Sequence, residues 1–95
     1  FASEVYVYFP GGFGTLDEFF EIITLIQTKK VTPLPVVLFG KEFWTPLLNY
    51  FKDTLCKKYK TISKEDLDLF FVADSVDEAY EYIIRHVDSR APKQI

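Results

Sequence analysis

Pro10-Gly11-Gly12-Phe13-Gly14-Thr15-Leu16-Asp17-Glu18 is the stretch of this sequence whose residue types can do chemistry. Glycines between the carboxyl end of a parallel strand and the start of a helix let backbone N–H groups come close to an anion. The positive end of the helix dipole strengthens their field, so phosphate is the ligand such a turn suits. The spacing is neither G-x-G-x-x-G nor a loop closing in Gly-Lys-Ser/Thr, so an ordinary NAD or ATP site does not follow. A tight strand-to-helix turn with no ligand stays open beside the phosphate site. Glu18 also has two readings. With Thr15 as N-cap it completes a capping box, each side chain satisfying one unpaired backbone N–H; alternatively its carboxylate faces a ligand. Asp17 reads as a first-turn partner of the helix dipole, with ligand contact as the alternative.

The elements that must hold this turn are legible on either side of it. Residues 4–9 are β-branched and aromatic almost throughout and stop at Pro10-Gly11-Gly12, which predicts a strand buried on both faces, as in a parallel sheet. Residues 15–29 carry a broad apolar stripe at helical spacing, with Lys29 and Lys30 at the end where cations suit the dipole. Pro33-Leu34-Pro35 closes the connection, and Val36-Val37-Leu38-Phe39-Gly40 predicts a second buried strand. Strand, helix, strand at this length is a βαβ unit with parallel strands. A second helix is expected over 43–58, with Pro46 near its first turn and Trp44, Leu47, Leu48, Phe51 and Leu55 facing inward. Ser63 can cap a short turn through Asp66. Residues 69–72 predict a third strand. Ser75 and Glu78 form a second capping box, for a helix to about residue 87 with Ala79, Tyr80, Ile83, Ile84 and Val87 inward. The expected fold class is therefore α/β, a three-layer arrangement of three parallel strands and three main helices over residues 1–88, with a polar tail at 89–95.

Bulk properties bound the rest. The chain has 95 residues, 48% of them apolar, with ten Phe, six Tyr and one Trp, ample for a packed core. It is short for a doubly wound nucleotide-binding fold. It also lacks methionine and opens three residues ahead of a strand-like run, so a fragment or processed product is expected. A formal charge of −3 gives no footprint for nucleic acid, and Lys57, Lys58 and Lys60 read as a solvated cluster. Cys56 is the only cysteine, which excludes an internal disulfide and suits a reducing, cytoplasmic setting. No run approaches the roughly 20 apolar residues of a membrane span. His86 has no ligand-type neighbour at metal spacing and reads as a helix-end surface residue; no metal site is expected. Phe13, Phe19, Phe20, Trp44 and Tyr50 read most simply as core, although Phe13 sits in the loop and can border a ligand.

The nine residues from Pro10 to Glu18 resemble the P-G-G-x-G-T-x-x-E signature of the LOG family, cytokinin riboside 5′-monophosphate phosphoribohydrolases long labelled lysine decarboxylases. Similarity continues through Phe19-Phe20-Glu21, Leu25-Ile26-Gln27-Thr28, the 35–39 strand, the 43–48 helix start and residues 74–84. The resemblance implies the C-terminal half of a Rossmann-like domain. It implies that Gly11, Gly12, Gly14 and Thr15 hold the 5′-phosphate of a nucleoside monophosphate and that Glu18 sits beside the ribose, with Phe13 and Asp17 adjacent. The activity implied is hydrolysis of the N-glycosidic bond without a cofactor; a non-catalytic module that binds a nucleotide or another phosphorylated ligand is the alternative. A pyridoxal-phosphate decarboxylase would need a lysine in a desolvated pocket, and the lysines here fall at helix ends and in polar runs. Relatives are homodimers and carry an arginine on the helix before the first strand, which has no counterpart in residues 1–95. The missing N-terminal half and a second copy are thus the implied protein partners, and the 95-residue piece alone is expected to be inactive.

Overall fold

Val36-Val37-Leu38-Phe39 is apolar at every position, which suits a strand covered on both faces, and it forms the middle of the sheet. The computed structural model of the chain describes residues 4–90, with side chains to residue 86. The elements are β1 (Tyr6–Tyr8), α1 (Phe13–Gln27), β2 (Val36–Phe39), α2 (Lys41–Tyr50), β3 (Phe71–Ala73) and α3 (Val76–Arg90). A π-helical segment, Phe51–Lys58, continues α2, and a 3-10 turn, Glu65–Asp68, precedes β3. The strands are parallel in the order β1-β2-β3, with Tyr6 opposite Val36 and Val37 opposite Phe71.

Successive β2 side chains go to opposite layers. Val36 and Leu38 join Phe19, Ile22 and Ile26 of α1 with Trp44 and Phe51. Val37 joins Ala73 and Ala79, against which Phe71, Tyr82 and Ile83 pack. Helices α1 and α2 therefore lie on one face and α3 on the other, the expected three-layer, Rossmann-like α/β arrangement. The indole N–H of fully buried Trp44 has no hydrogen-bond partner among the described residues. An orphaned buried donor costs on the order of 1–3 kcal/mol, which the aromatic packing around it must offset.

Several expectations need correction. Helix α1 starts at Phe13 with Gly12 as N-cap and no side-chain cap, so Thr15 is its third residue and not its cap. It ends at Gln27, and Lys29 lies beyond it in the left-handed region at φ 61°. Helix α2 starts at Lys41, which puts Pro46 in its second turn, and its continuation ends at Lys58, two residues ahead of Lys60, which is also left-handed at φ 56°. Strand β1 is half-covered: Tyr6 and Tyr8 pack on the α1 face, whereas Val5, Val7 and Phe9 are exposed because α3 covers β2 and β3 but not β1. On α3 itself Tyr80 and Ile84 are exposed, and Tyr82 turns inward to stack on Phe71 at 4.7 Å. Phe20 and Tyr50 are likewise exposed, not core. Strand β3 sits at 71–73, later than the expected 69–72. Helix α3 runs to Arg90, so residues 89–90 belong to it; the Val87 side chain and residues 91–95 lie outside the described part.

Two carboxylates stitch the layers and carry an acid dependence. Asp66 accepts from the Ser63 N–H at 2.9 Å and from the Gln27 amide of α1 at 2.7 Å, while Ser63 Oγ accepts from the Asp66 N–H. Burial alone would raise the Asp66 pKa, but these donors outweigh it and hold the carboxyl below its ordinary value. Glu78 is also held low, first by the Asp74 N–H and further by Lys41, which together outweigh desolvation and the Asp74 charge. For a carboxyl lowered in the folded state, the stabilisation is complete above its unfolded pKa and disappears as pH falls through the folded one. Urea midpoints of wild type are therefore expected to fall on acidification through the carboxylate range. Asp66→Asn should start lower at neutral pH and lose less over that interval; parallel pH dependence of the two proteins would contradict this assignment.

Candidate functional site

The glycine turn follows β1 at the carboxyl end of the sheet, with α1 leaving directly from Gly12. Four N–H groups at any helix start lack intrahelical partners, and in α1 no side chain caps them. Their field is therefore directed at whatever occupies the space before the helix.

The glycines divide by what surrounds them. A Cβ on Gly11 would collide with the Thr15 hydroxyl, so glycine there is demanded by the fold of the turn itself. Gly12 and Gly14 have nothing within 4 Å of where a Cβ would stand, and neither has a positive φ. The chain's own packing thus leaves room for a methyl at both, whereas the Thr15 side chain fills the space over Gly11. Phe13, between them, is 91% exposed and contributes nothing to the core.

Thr15 is half-buried, with its hydroxyl over Gly11 and no hydrogen bond of its own among the described residues. Asp17 and Glu18 are exposed in the second turn of α1, so Asp17 is not the first-turn dipole partner expected of it. Nor does Glu18 fold back as a cap: its side chain makes no hydrogen bond or ion pair among the described residues. Its main-chain carbonyl accepts the Tyr8 hydroxyl at 3.4 Å. Burial and then the nearby Glu18 carboxylate push the Tyr8 hydroxyl pKa up.

The neighbouring strand-to-helix turn braces the first. Gly40, at φ 105°, lies against Pro10, and Phe9 packs on Phe39 at 5.5 Å. The Gly40 N–H donates to Ala73 and the Lys41 N–H to Asp74 Oδ1, both at 2.8 Å. The Asp74 N–H in turn donates to Glu78 Oε1 at 2.8 Å, and Glu78 Oε2 lies 3.7 Å from Lys41 Nζ. Three strand ends are thereby held in register under the glycine turn. Sequence reasoning missed this brace and missed Tyr8. The signals were the Phe39-Gly40 ending, which repeats the Phe9-Pro10-Gly11 ending, and the alternation that sets Tyr6 and Tyr8 on one face.

Among the described residues no group of three or more His, Cys, Asp or Glu side chains could hold a metal ion, and no helix is long and apolar enough to cross a membrane. Every described lysine is exposed. Cys56 is half-buried. His86 is half-buried within α3, edge-on to Tyr82 at 5.9 Å, and not at a helix end. A family model described as "possible lysine decarboxylase" matches residues 2–83. No curated protein matches the chain.

Proposed function

Since the chain belongs to the LOG family, whose domain is described as possible lysine decarboxylase, we propose that it carries the phosphate-binding half of a phosphoribohydrolase. The substrate is a purine nucleoside 5′-monophosphate, AMP or a cytokinin riboside monophosphate, and the products are free base and ribose 5-phosphate. The observation that carries this reading is an uncapped helix start with open space over Gly12 and Gly14 and an unengaged carboxylate, Glu18, farther along the same helix.

In this reading the amides of Gly11, Gly12 and Gly14, with the Thr15 hydroxyl, hold the 5′-phosphate, and Phe13 and Asp17 border the ligand. The bond from the anomeric carbon to the base nitrogen breaks, and positive charge builds on the sugar. The Glu18 carboxylate stabilises that charge or orients the attacking water, whose oxygen bonds to the anomeric carbon. One water proton leaves on the base. The described lysines are all exposed and offer no desolvated amine for Schiff-base chemistry, which favours the hydrolase over the decarboxylase branch of the family's descriptions. The N-terminal half of the same domain supplies an arginine opposite Glu18, and the working assembly is a homodimer; residues 1–95 alone do not hydrolyse AMP.

The test is incubation of the parent protein with AMP and assay for adenine. Release of adenine supports the hydrolase; AMP binding without release leaves a nucleotide-binding module and ends the catalytic reading. Gly14→Ala tests the phosphate loop separately. Glycine inside a helix costs roughly 0.5–1 kcal/mol relative to alanine, so the variant should be at least as stable as wild type. A methyl aimed into a space that phosphate must occupy is an overpacking of about 1–3 kcal/mol, so AMP should bind roughly 10- to 100-fold more weakly. Calorimetric titration and thermal melts check both halves, and unchanged AMP affinity would remove the phosphate from this turn.

A further inference from the structure

The face of α1 turned away from Glu18 borders a cavity that no step of the proposed reaction uses. Successive helix residues point about 100° apart, so Phe20, Thr24 and Gln27 lie roughly half a turn round α1 from Glu18. With Phe51 and Leu55 of the π-helical segment and Asp66 of the 3-10 turn they line a space of about 130 Å³. No β1 residue lines it, so its form does not depend on what flanks that strand.

The apolar walls set the size of an occupant: an apolar cavity of about 150 Å³ takes one benzene ring. The polar wall sets its charge. Asp66 uses only Oδ2 to accept from the Gln27 amide and the Ser63 N–H, at 2.7 and 2.9 Å. Asp66 Oδ1, the Gln27 amide oxygen and the Thr24 hydroxyl receive no donor among the described residues. Asp66 is also the one charged residue on the lining, so the cavity presents acceptors around a single negative charge. A compact ring bearing a protonated amine answers both walls, since an ammonium offers three N–H donors and no acceptor. The segment that supplies Phe51 and Leu55 is π-helical, a rare and wider turn that recurs at functional sites.

We propose that this cavity binds a small amine with a single apolar ring or branched chain, its ammonium on Asp66 Oδ1 and its apolar body against Phe20, Phe51 and Leu55. The site is separate from the glycine turn and does not depend on the phosphoribohydrolase reading. Bound there, the amine ties α1 to the segment before β3.

The probe is benzylamine, protonated at neutral pH, titrated calorimetrically into the parent protein. Benzyl alcohol keeps the ring and loses the charge; methylamine keeps the charge and loses the ring. Benzylamine should saturate with a dissociation constant of roughly 1 mM or tighter, the scale for so small a ligand, and each control should bind about tenfold more weakly or worse. Wild type that does not saturate with benzylamine, or takes benzyl alcohol equally well, overturns the proposal. Asp66→Asn should weaken benzylamine about tenfold and leave benzyl alcohol within about twofold. Leu67→Phe, which adds bulk to another wall of the cavity, should weaken both. Thermal melts establish that each variant is folded, and the wild-type comparison of the three ligands stands without either. Unchanged benzylamine affinity in folded Leu67→Phe and Asp66→Asn puts the amine elsewhere and ends the assignment.

Discussion

Glu18→Gln is expected to lower adenine release from AMP by roughly 10²- to 10⁴-fold, the usual weight of a positioned acid–base or charge-stabilising carboxylate, while AMP affinity stays near wild type. The amide keeps the shape of the side chain and removes its charge, and charge is what an oxocarbenium-like sugar requires. Glu18 is exposed and its side chain makes no hydrogen bond or ion pair among the described residues, so the substitution removes no structural bond. Stability should therefore move by less than about 0.5 kcal/mol. Had the residue been the capping partner that its spacing suggested, the signature would be reversed: a stability loss of about 1 kcal/mol with little change in turnover per folded molecule. Turnover and urea midpoint measured on the same preparation separate the two roles. A destabilised but active Glu18→Gln would end the catalytic assignment.

That contrast also marks where the sequence was legible. Thr15 and Glu18, and Ser75 and Glu78, spell the same capping box. At α3 the box forms: Ser75 Oγ accepts from the Glu78 N–H at 3.1 Å, and Glu78 reaches back to the main chain, although to the Asp74 N–H and not that of Ser75. At α1 it does not, because the Thr15 hydroxyl packs over Gly11 and the helix begins at Phe13. Local spelling cannot separate these cases; what does is the glycine turn, which brings the chain into helical geometry earlier and leaves its N–H groups uncapped. The three parallel strands and the two helical layers were readable because each apolar run is long relative to its element. The coverage of those runs was not. Val7 and Tyr80 look like core by type, yet Val7 is exposed on the face of β1 that α3 leaves bare and Tyr80 is exposed on α3 itself, and hydropathy says only that a residue prefers burial, not that a neighbour is present to supply it. The π-helical stretch after Tyr50 had no sequence marker of the proline or glycine kind either.

Phe19→Ala is expected to cost about 3–5 kcal/mol, a large share of the roughly 5–15 kcal/mol that holds a domain of ordinary stability. Phe19 is fully buried and its ring meets those of Tyr8, Phe20, Trp44, Phe51 and Phe70, all within 6.4 Å. Among the described residues no other side chain joins β1, α1, α2 and the segment before β3 through so many rings, so truncation leaves a cavity that several elements would have to move to close. Its position next to Glu18 gives the substitution a second consequence. Successive residues on a helix point about 100° apart, so Phe19 in the core fixes the rotation of α1 that leaves Glu18 on the exposed side of the helix. Phe19→Leu keeps an apolar filling and should lose much less stability, yet it relaxes that rotation. It is expected to fold and to hydrolyse AMP more slowly than wild type. Urea unfolding and adenine release on the two variants check both claims; a Phe19→Ala penalty below about 1.5 kcal/mol would mean that the aromatic cluster does not set the helix, and the orientation of Glu18 would need another cause.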